Sequence, residues 1–192
     1  MVNFMLATLG LAALVPLSAA APAASQPAPD MVPRDDGFSF EQWIDDIIKN
    51  PEGDHLSPEN AIKAATAHHE AVARAEPSGG SLSKRNPTCN FQNEEDVASV
   101  SDAVACINRL AARGRERCYV PFSGMNLCTI GNAQIVGMTG KDSGTSSYCE
   151  HIARGAGQIM DRCWRADNTV QGYNTAWGNG DLGVHINRPM FS

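Results

Sequence analysis

Hydrophobic and polar residues alternate along this chain in patterns that predict two helices in its C-terminal half. The first stripe recurs at spacings of three and four residues, as in one face of a helix: Val97, Val100, Val104, Ile107 and Leu110. Acidic Glu94, Glu95 and Asp96 favour a helix start before it, and Gly114 favours its end. The second stripe contains Cys149, Ile152, Ala153, Ala156, Ile159, Met160 and Cys163. Ser146 or Ser147 is expected to cap this second helix.

Segments around these helices are typical of strands. They are Thr88–Gln92, Arg117–Phe122, one strand or a pair within Leu127–Val136, Val170–Gly178 and Asp181–Asn187. Asn179-Gly180 predicts a hairpin turn between the last two, since both turn residues need positive φ. The polar residues 137–147 are interpreted as a loop. We therefore predict an α+β domain with two helices packed on one face of a mostly antiparallel sheet.

The N-terminal residues 1–20 are typical of a signal peptide. An apolar run extends from about Phe4 to Leu17, and Ser18 and Ala20 suit the positions before a cleavage. The run is shorter than the roughly 20 residues that cross a bilayer. We expect a secreted, extracellular protein without a membrane anchor.

Residues 21–85 differ from the rest in composition and end in the dibasic pair Lys84-Arg85. They contain two helical patterns, one around Trp43 and Ile44 and one opened by Ser57-Pro58, where a serine cap precedes a proline at the first helical position. Their thin apolar faces make both helices marginal in isolation. We interpret 21–85 as an acidic pro-segment, Lys84-Arg85 as its cleavage site and 86–192 as the working domain.

Charge is divided unevenly between these parts. Residues 22–85 hold eleven acidic and six basic side chains, whereas residues 86–192 hold ten acidic and nine basic ones. The nearly neutral domain lacks the positive field by which proteins neutralise nucleic-acid phosphates. We therefore expect no nucleic-acid partner.

All six cysteines follow the dibasic pair: Cys89, Cys106, Cys118, Cys128, Cys149 and Cys163. An even number in a secretory context predicts three disulfides, although six cysteines allow fifteen pairings. The absence of any C-x-x-C argues against zinc and redox-active dithiols. We expect no metal and no cofactor.

Catalytic motifs such as G-x-S-x-G, the P-loop and the Rossmann glycine pattern are absent. His151 and His185, with Glu150 or Asp181, would suit the acid–base pair of a small secreted hydrolase such as a ribonuclease. The alternative is structural: His151 lies in a helix's first turn, and His185 is expected on the open face of an edge hairpin. We favour a protein without catalysis.

Binding residues are the other candidates. Trp164, Tyr173 and Trp177 would stack on sugars of a cell wall or anchor a protein partner, unless they belong to the core. Arg109 and Arg113 share a helical face and would contact an anionic surface, unless they only complement the helix end.

Several segments together resemble the small secreted cysteine-rich proteins of filamentous fungi, and more narrowly the killer-toxin-like and necrosis-inducing effectors. These are Lys84-Arg85 as a kexin-type site, the segment C-I-N-R-L-A from Cys106, S-S-Y-C ending at Cys149, and W-G-N-G-D-L from Trp177. The resemblance covers about residues 85–190 and implies an effector or toxin that acts by binding a host or competitor protein or cell-surface component. It also implies a kexin-type protease as a partner during maturation, and it transfers no active-site residue.

Overall fold

The computed structural model describes residues 37–74, 87–90 and 93–190, all of which lie within one compact unit, Met31–Ser192. The predicted signal peptide and Lys84-Arg85 lie outside the described residues. Four helices are described: α1 Phe40–Lys49, α2 Pro58–Arg74, α3 Val100–Ala112 and α4 Cys149–Cys163. The two predicted helices of the C-terminal half correspond to α3 and α4.

The strands of the described residues form one large antiparallel sheet and two small ones. They are β1 Thr88–Cys89, β2 Ala98–Ser99, β3 Arg117–Val120, β4 Met125–Ile130, β5 Ala133–Met138, β6 Thr145–Tyr148, β7 Thr169–Val170, β8 Gly172–Ala176 and β9 Asn179–Asn187. The large sheet has the order β1-β8-β9-β5-β4, while β2 pairs with β7 and β3 with β6. The predicted α+β class is confirmed.

Both predicted apolar stripes supply the core. In α3 the side chains of Val100, Val104, Ile107 and Leu110 are buried, and in α4 the whole predicted inner face is buried. α3 begins later than predicted, because Ala98 and Ser99 pair with β7. Ser99 then caps α3, since its hydroxyl accepts a hydrogen bond from the Asp102 N–H. Gly114 follows the helix end with φ of +51°, as the sequence indicated.

The serine cap predicted for α4 is wrong. Ser146 and Ser147 belong to β6, a strand inside the segment interpreted as a loop, and the helix begins after Tyr148 without a side-chain cap. Instead, the N–H groups of Cys149 and Glu150 donate to backbone carbonyls of the α3–β3 connection. A turn brought there by tertiary structure thus does what a local serine was expected to do.

The hairpin between β8 and β9 turns two residues earlier than predicted. Ala176 pairs with Asn179, so Trp177 and Gly178 form the turn, and Gly178 has φ of +71°. Asn179 lies in β9, where its side-chain amide donates to Thr145 Oγ1. The strand is also central rather than at an edge, and it is buried on both faces from Leu182 to Asn187.

Three disulfides join the six cysteines and settle the pairing that the sequence left open. Cys89 is bonded to Cys163, Cys106 to Cys128, and Cys118 to Cys149. They connect β1 to the end of α4, α3 to β4, and β3 to the start of α4. Each helix of the cysteine-bearing domain is therefore covalently tied to a strand.

Helices α1 and α2 pack on this domain. The serine cap and first-position proline predicted for α2 are confirmed, since Ser57 Oγ accepts from the Asn60 N–H and the helix begins at Pro58. α1 lies against α3 and α4, and α2 lies against α3. Tertiary packing therefore supplies the stability that each short helix lacks alone.

Candidate functional site

The start of α4 carries a group of arginine and aromatic side chains that three connections bring together. The Cys118–Cys149 disulfide fixes β3 to the first residue of the helix. In the β3–β6 ladder, Arg117 lies directly opposite Tyr148. The β8–β9 turn meets the same place, because the Trp177 N–H donates to the His151 carbonyl at 3.0 Å.

Two guanidinium groups lie beside the ring of Tyr148. The Cζ atoms of Arg115 and Arg117 are 5.2 and 5.4 Å from the ring centre, distances at which a cation is attracted to an aromatic face. Arg117 also donates to the hydroxyl of Ser146. The phenol ring thus keeps two exposed positive charges near one point on the surface.

His151 also packs against Tyr148, with ring centres 5.3 Å apart in an edge-to-face arrangement. Its Nε2 lies 3.7 Å from Oε1 of the buried Glu150. Desolvation lowers the pKa of His151, and Arg154 and Arg115 act in the same direction, while Glu150 opposes them. The imidazole is therefore neutral at neutral pH and adds no third positive charge.

Trp177 completes the group from the β8–β9 turn. Its residue is 44% exposed, and the Arg154 guanidinium lies 5.8 Å from its ring centre. We define the α4 patch as these clustered side chains: Arg115, Arg117, Tyr148, His151, Arg154 and Trp177. The α4 patch thus places three guanidinium groups beside aromatic rings.

The other two predicted aromatic residues lie elsewhere. Trp164 follows the end of α4, where its ring centre is 5.9 Å from Phe40 and 5.2 Å from His69. Tyr173 lies in β8 opposite His185, and its ring packs over Gly183. Tyr173 also lines an open depression with residues 138–141, Gly180, Asp181 and Gly183. Trp164, Tyr173 and Trp177 are therefore not one stacking platform.

Arg109 and Arg113 lie at the C-terminal end of α3. Arg109 is exposed, whereas Arg113 forms two hydrogen bonds of 2.7 Å with the carboxylate of Glu116. The hydrogen bond from Arg113 lowers the pKa of Glu116, so the pair stays ionised. Arg113 is thus engaged within its own turn.

The two histidines proposed for acid–base chemistry occupy different environments. His185 lies in the central strand β9 and is 1% exposed, so the expectation of an open face is wrong. Desolvation lowers the pKa of its imidazole. His151 lies at the partly exposed start of α4. Among the described residues no group of three or more His, Cys, Asp or Glu is placed to hold a metal ion.

Tyr148 is not among the site residues predicted from the sequence. The available signal was the pair of arginines near the beginning of β3: Arg117 begins the strand and lies opposite Tyr148, and Arg115 lies in the turn before it. The partner strand that brings Tyr148 beside Arg117 lies in a segment that the sequence predicted to be a loop.

Among the helices that the structure describes, none has the length and apolar character required to span a membrane.

One comparison with known proteins finds a match. Residues 84–188 match the family described as Domain of unknown function (DUF8794). The matched residues include all six cysteines, α3, α4 and every residue of the α4 patch. Neither the curated proteins nor the solved structures contain a match.

Proposed function

The chain belongs to the DUF8794 family of domains of unknown function, and we propose that its 86–192 domain is a secreted effector or toxin-like protein. It acts on a host or a competing organism by binding, without catalysis. Export is supported by the signal-like N-terminus, and the three disulfides suit an oxidising compartment. A kexin-type protease would cleave the precursor after Arg85.

The α4 patch is the observation that carries the binding proposal. Arginine, tyrosine and tryptophan are the side chains enriched where proteins bind one another. Here Arg115 and Arg117 lie beside Tyr148 while Trp177 remains 44% exposed, so rigid aromatic surface and positive charge are offered together. A target with carboxylate groups around an apolar recess would complement this surface.

The backbone that carries the α4 patch is held in place, which favours a role in binding. The first turn of α4 is held by the Cys118–Cys149 bond, and the Trp177 backbone is hydrogen-bonded to His151. A backbone that is already positioned loses little conformational entropy when a partner binds. The patch therefore requires little rearrangement to act as an interface.

A pair of arginine substitutions tests the proposal. The full precursor is expressed in a secreting host, and the purified product is applied to plant and microbial cells and used to capture proteins from their surfaces. Arg115→Ala with Arg117→Ala is expected to abolish both the cellular response and the capture. The matched control is Arg162→Ala, an exposed arginine at the far end of α4, which should leave both unchanged.

Each result decides for or against the binding surface. Equal potency of the double variant and the control would remove the α4 patch from the proposal. Retention of the wild-type protein on chitin or glucan, unaffected by the arginine changes, would instead favour a cell-wall-binding module. Turnover of an RNA substrate by the wild-type protein would overturn the statement that no catalysis occurs.

A further inference from the structure

Helix α1 buries a complete apolar face against the cysteine-bearing domain. Phe40, Trp43, Ile44 and Ile47 are each 3% exposed or less. The ring centres of Phe40 and Trp164 are 5.9 Å apart. These helix residues precede Lys84-Arg85 and lie outside the residues that match the family. The predicted pro-segment thus contains a buried apolar helix face, and this helix packs mainly on α4 and α3 of the domain.

Specific polar contacts fix the position of α1 along α4. The carboxylate of Asp161 accepts hydrogen bonds from the N-cap and the first two residues of α1: Ser39 Oγ, Phe40 N and Glu41 N. Arg154 Nε donates to Asp45 Oδ1 at 2.6 Å, and Gln158 Nε2 donates to Glu41 Oε1 at 2.8 Å. One face of α4 therefore holds the beginning and the middle of α1 in register.

The surface of α4 is also shaped for this helix. A Cβ atom at Gly157 would lie 2.3 Å from Cδ1 of Ile44, so the isoleucine occupies the space that the glycine leaves open. Such close approach needs a residue without a side chain at this position. We call this face of α4, which carries Arg154, Gly157, Gln158 and Asp161, the α4 groove. Apolar fit, hydrogen bonds and an ion pair all identify α1 as its occupant.

No disulfide crosses from this segment to the domain, since the three bonds join cysteines between Cys89 and Cys163. We propose that residues 37–74 stay bound after cleavage at Lys84-Arg85, so that the mature protein is a noncovalent complex of two chains. The α4 groove is the binding site, and its ligand is α1 of the protein's own acidic segment, while α2 lies against α3.

Retention follows from what release would expose. Without α1, the α4 groove and four large apolar side chains of the released helix would both be exposed to water, which the hydrophobic effect opposes.

Retention of α1 also affects the α4 patch. Arg154 pairs with Asp45 and lies near the ring of Trp177, so the bound segment holds one guanidinium at the edge of the patch.

The experiment is native mass spectrometry of the protein secreted from the full precursor. We expect one complex that contains a piece ending at Arg85 and a piece beginning at Asn86 in a 1:1 ratio. Urea without reductant should separate the two pieces, because noncovalent contacts alone join them. A native species of residues 86–192 alone, or a single uncleaved chain, would overturn the proposal.

Substitutions on α1 identify the interface. Ile44→Asp buries a charge and should lower the retained fraction roughly tenfold or more, whereas Gln42→Asp on the exposed face of the same helix should leave it unchanged. If Ile44→Asp is not secreted, the pair of Asp45 and Arg154 provides the second test. Asp45→Arg and Arg154→Asp should each reduce retention, and the double exchange should restore it. If none of these substitutions changes the retained fraction, the segment does not bind at the α4 groove and the proposal is overturned.

Discussion

Asp161, in the last turn of α4, accepts a hydrogen bond of 2.6 Å from the backbone N–H of Phe40, the first residue of α1. A carboxylate from a distant helix thus satisfies the free N–H groups that every helix leaves at its start. Desolvation raises the pKa of Asp161 to about 6, against the hydrogen bonds from Phe40, Glu41 and Ser39. With a pKa of about 6, the carboxylate is ionised at neutral pH.

Removing this carboxylate should loosen α1. Asp161→Ala is expected to lower the free energy of unfolding by about 1–2 kcal/mol, the usual cost of losing a helix cap. Urea unfolding measures it on an uncleaved chain, made by Lys84→Gln with Arg85→Gln. Asp142→Ala, at another exposed aspartate, should change stability by less than about 0.5 kcal/mol. Equal effects of the two substitutions would show that Asp161 does not anchor α1.

The close approach of α4 to β8 gives a second prediction. A Cβ atom at Gly155 would lie 2.7 Å from the Thr175 carbonyl oxygen, a backbone atom that cannot move aside easily. Gly155→Ala should therefore destabilise the protein by about 1–3 kcal/mol through overpacking, although alanine is the better helix former. Thermal unfolding measures this loss of stability. At Gly140 a Cβ atom would meet nothing within 4 Å, so Gly140→Ala should leave the stability unchanged in the same measurement.

Sequence patterns predicted those parts of the fold that depend on local periodicity. The stripes of α3 and α4 are buried because apolar residues every three or four positions lie on one face of a helix, and that face packs on the core. The cap of α2 was likewise predictable, since Ser57 and Pro58 act within their own turn.

Features that depend on distant segments were not predictable. The start of α4 is satisfied by carbonyls of Gly114 and Glu116, so local serines were a false signal. Asn179 bonds to β6 instead of forming the hairpin turn. The α4 patch itself depends on β6 pairing with β3, and a single sequence does not state which strands pair.

The three disulfides should contribute unequally to stability. In the loop-entropy account the bond that closes the longest loop restricts the unfolded chain most. Cys89–Cys163 has a sequence separation of 74, against 22 for Cys106–Cys128. Replacing both cysteines by alanine should cost about 4.5 kcal/mol for the first bond and about 3.4 kcal/mol for the second. Urea unfolding of the two double variants measures the order, and the reverse order would show that local packing dominates.

His185 should make the protein less stable in acid. Burial lowers its pKa below 6.5 in the folded state, so the unfolded chain takes up a proton first as the pH falls. The contribution of His185 to the free energy of unfolding is therefore largest above pH 6.5. Below that pH it decreases, by up to about 1.4 kcal/mol per pH unit for one proton. His185→Gln should flatten the slope of unfolding free energy between pH 7 and 5. An unchanged slope in this variant would show that His185 does not cause the acid sensitivity.

Trp177 should matter for recognition far more than for folding. Its residue is 44% exposed, and its backbone hydrogen bond to His151 does not require the indole ring. Trp177→Ala should therefore change the free energy of unfolding by less than about 1 kcal/mol. If the ring anchors a partner, its removal should weaken binding by about 2 kcal/mol, which is roughly a thirtyfold loss.

Dose–response midpoints on a responsive cell type measure that loss, with unfolding curves recorded on the same preparations. Phe122→Ala supplies the control, since this aromatic residue is 60% exposed but lies in the β3–β4 turn, outside the α4 patch. A rightward shift for Trp177→Ala alone would connect activity to the patch. Equal shifts for both variants would indicate a general effect of exposed aromatic surface, and loss of activity with loss of folding would assign Trp177 to stability instead.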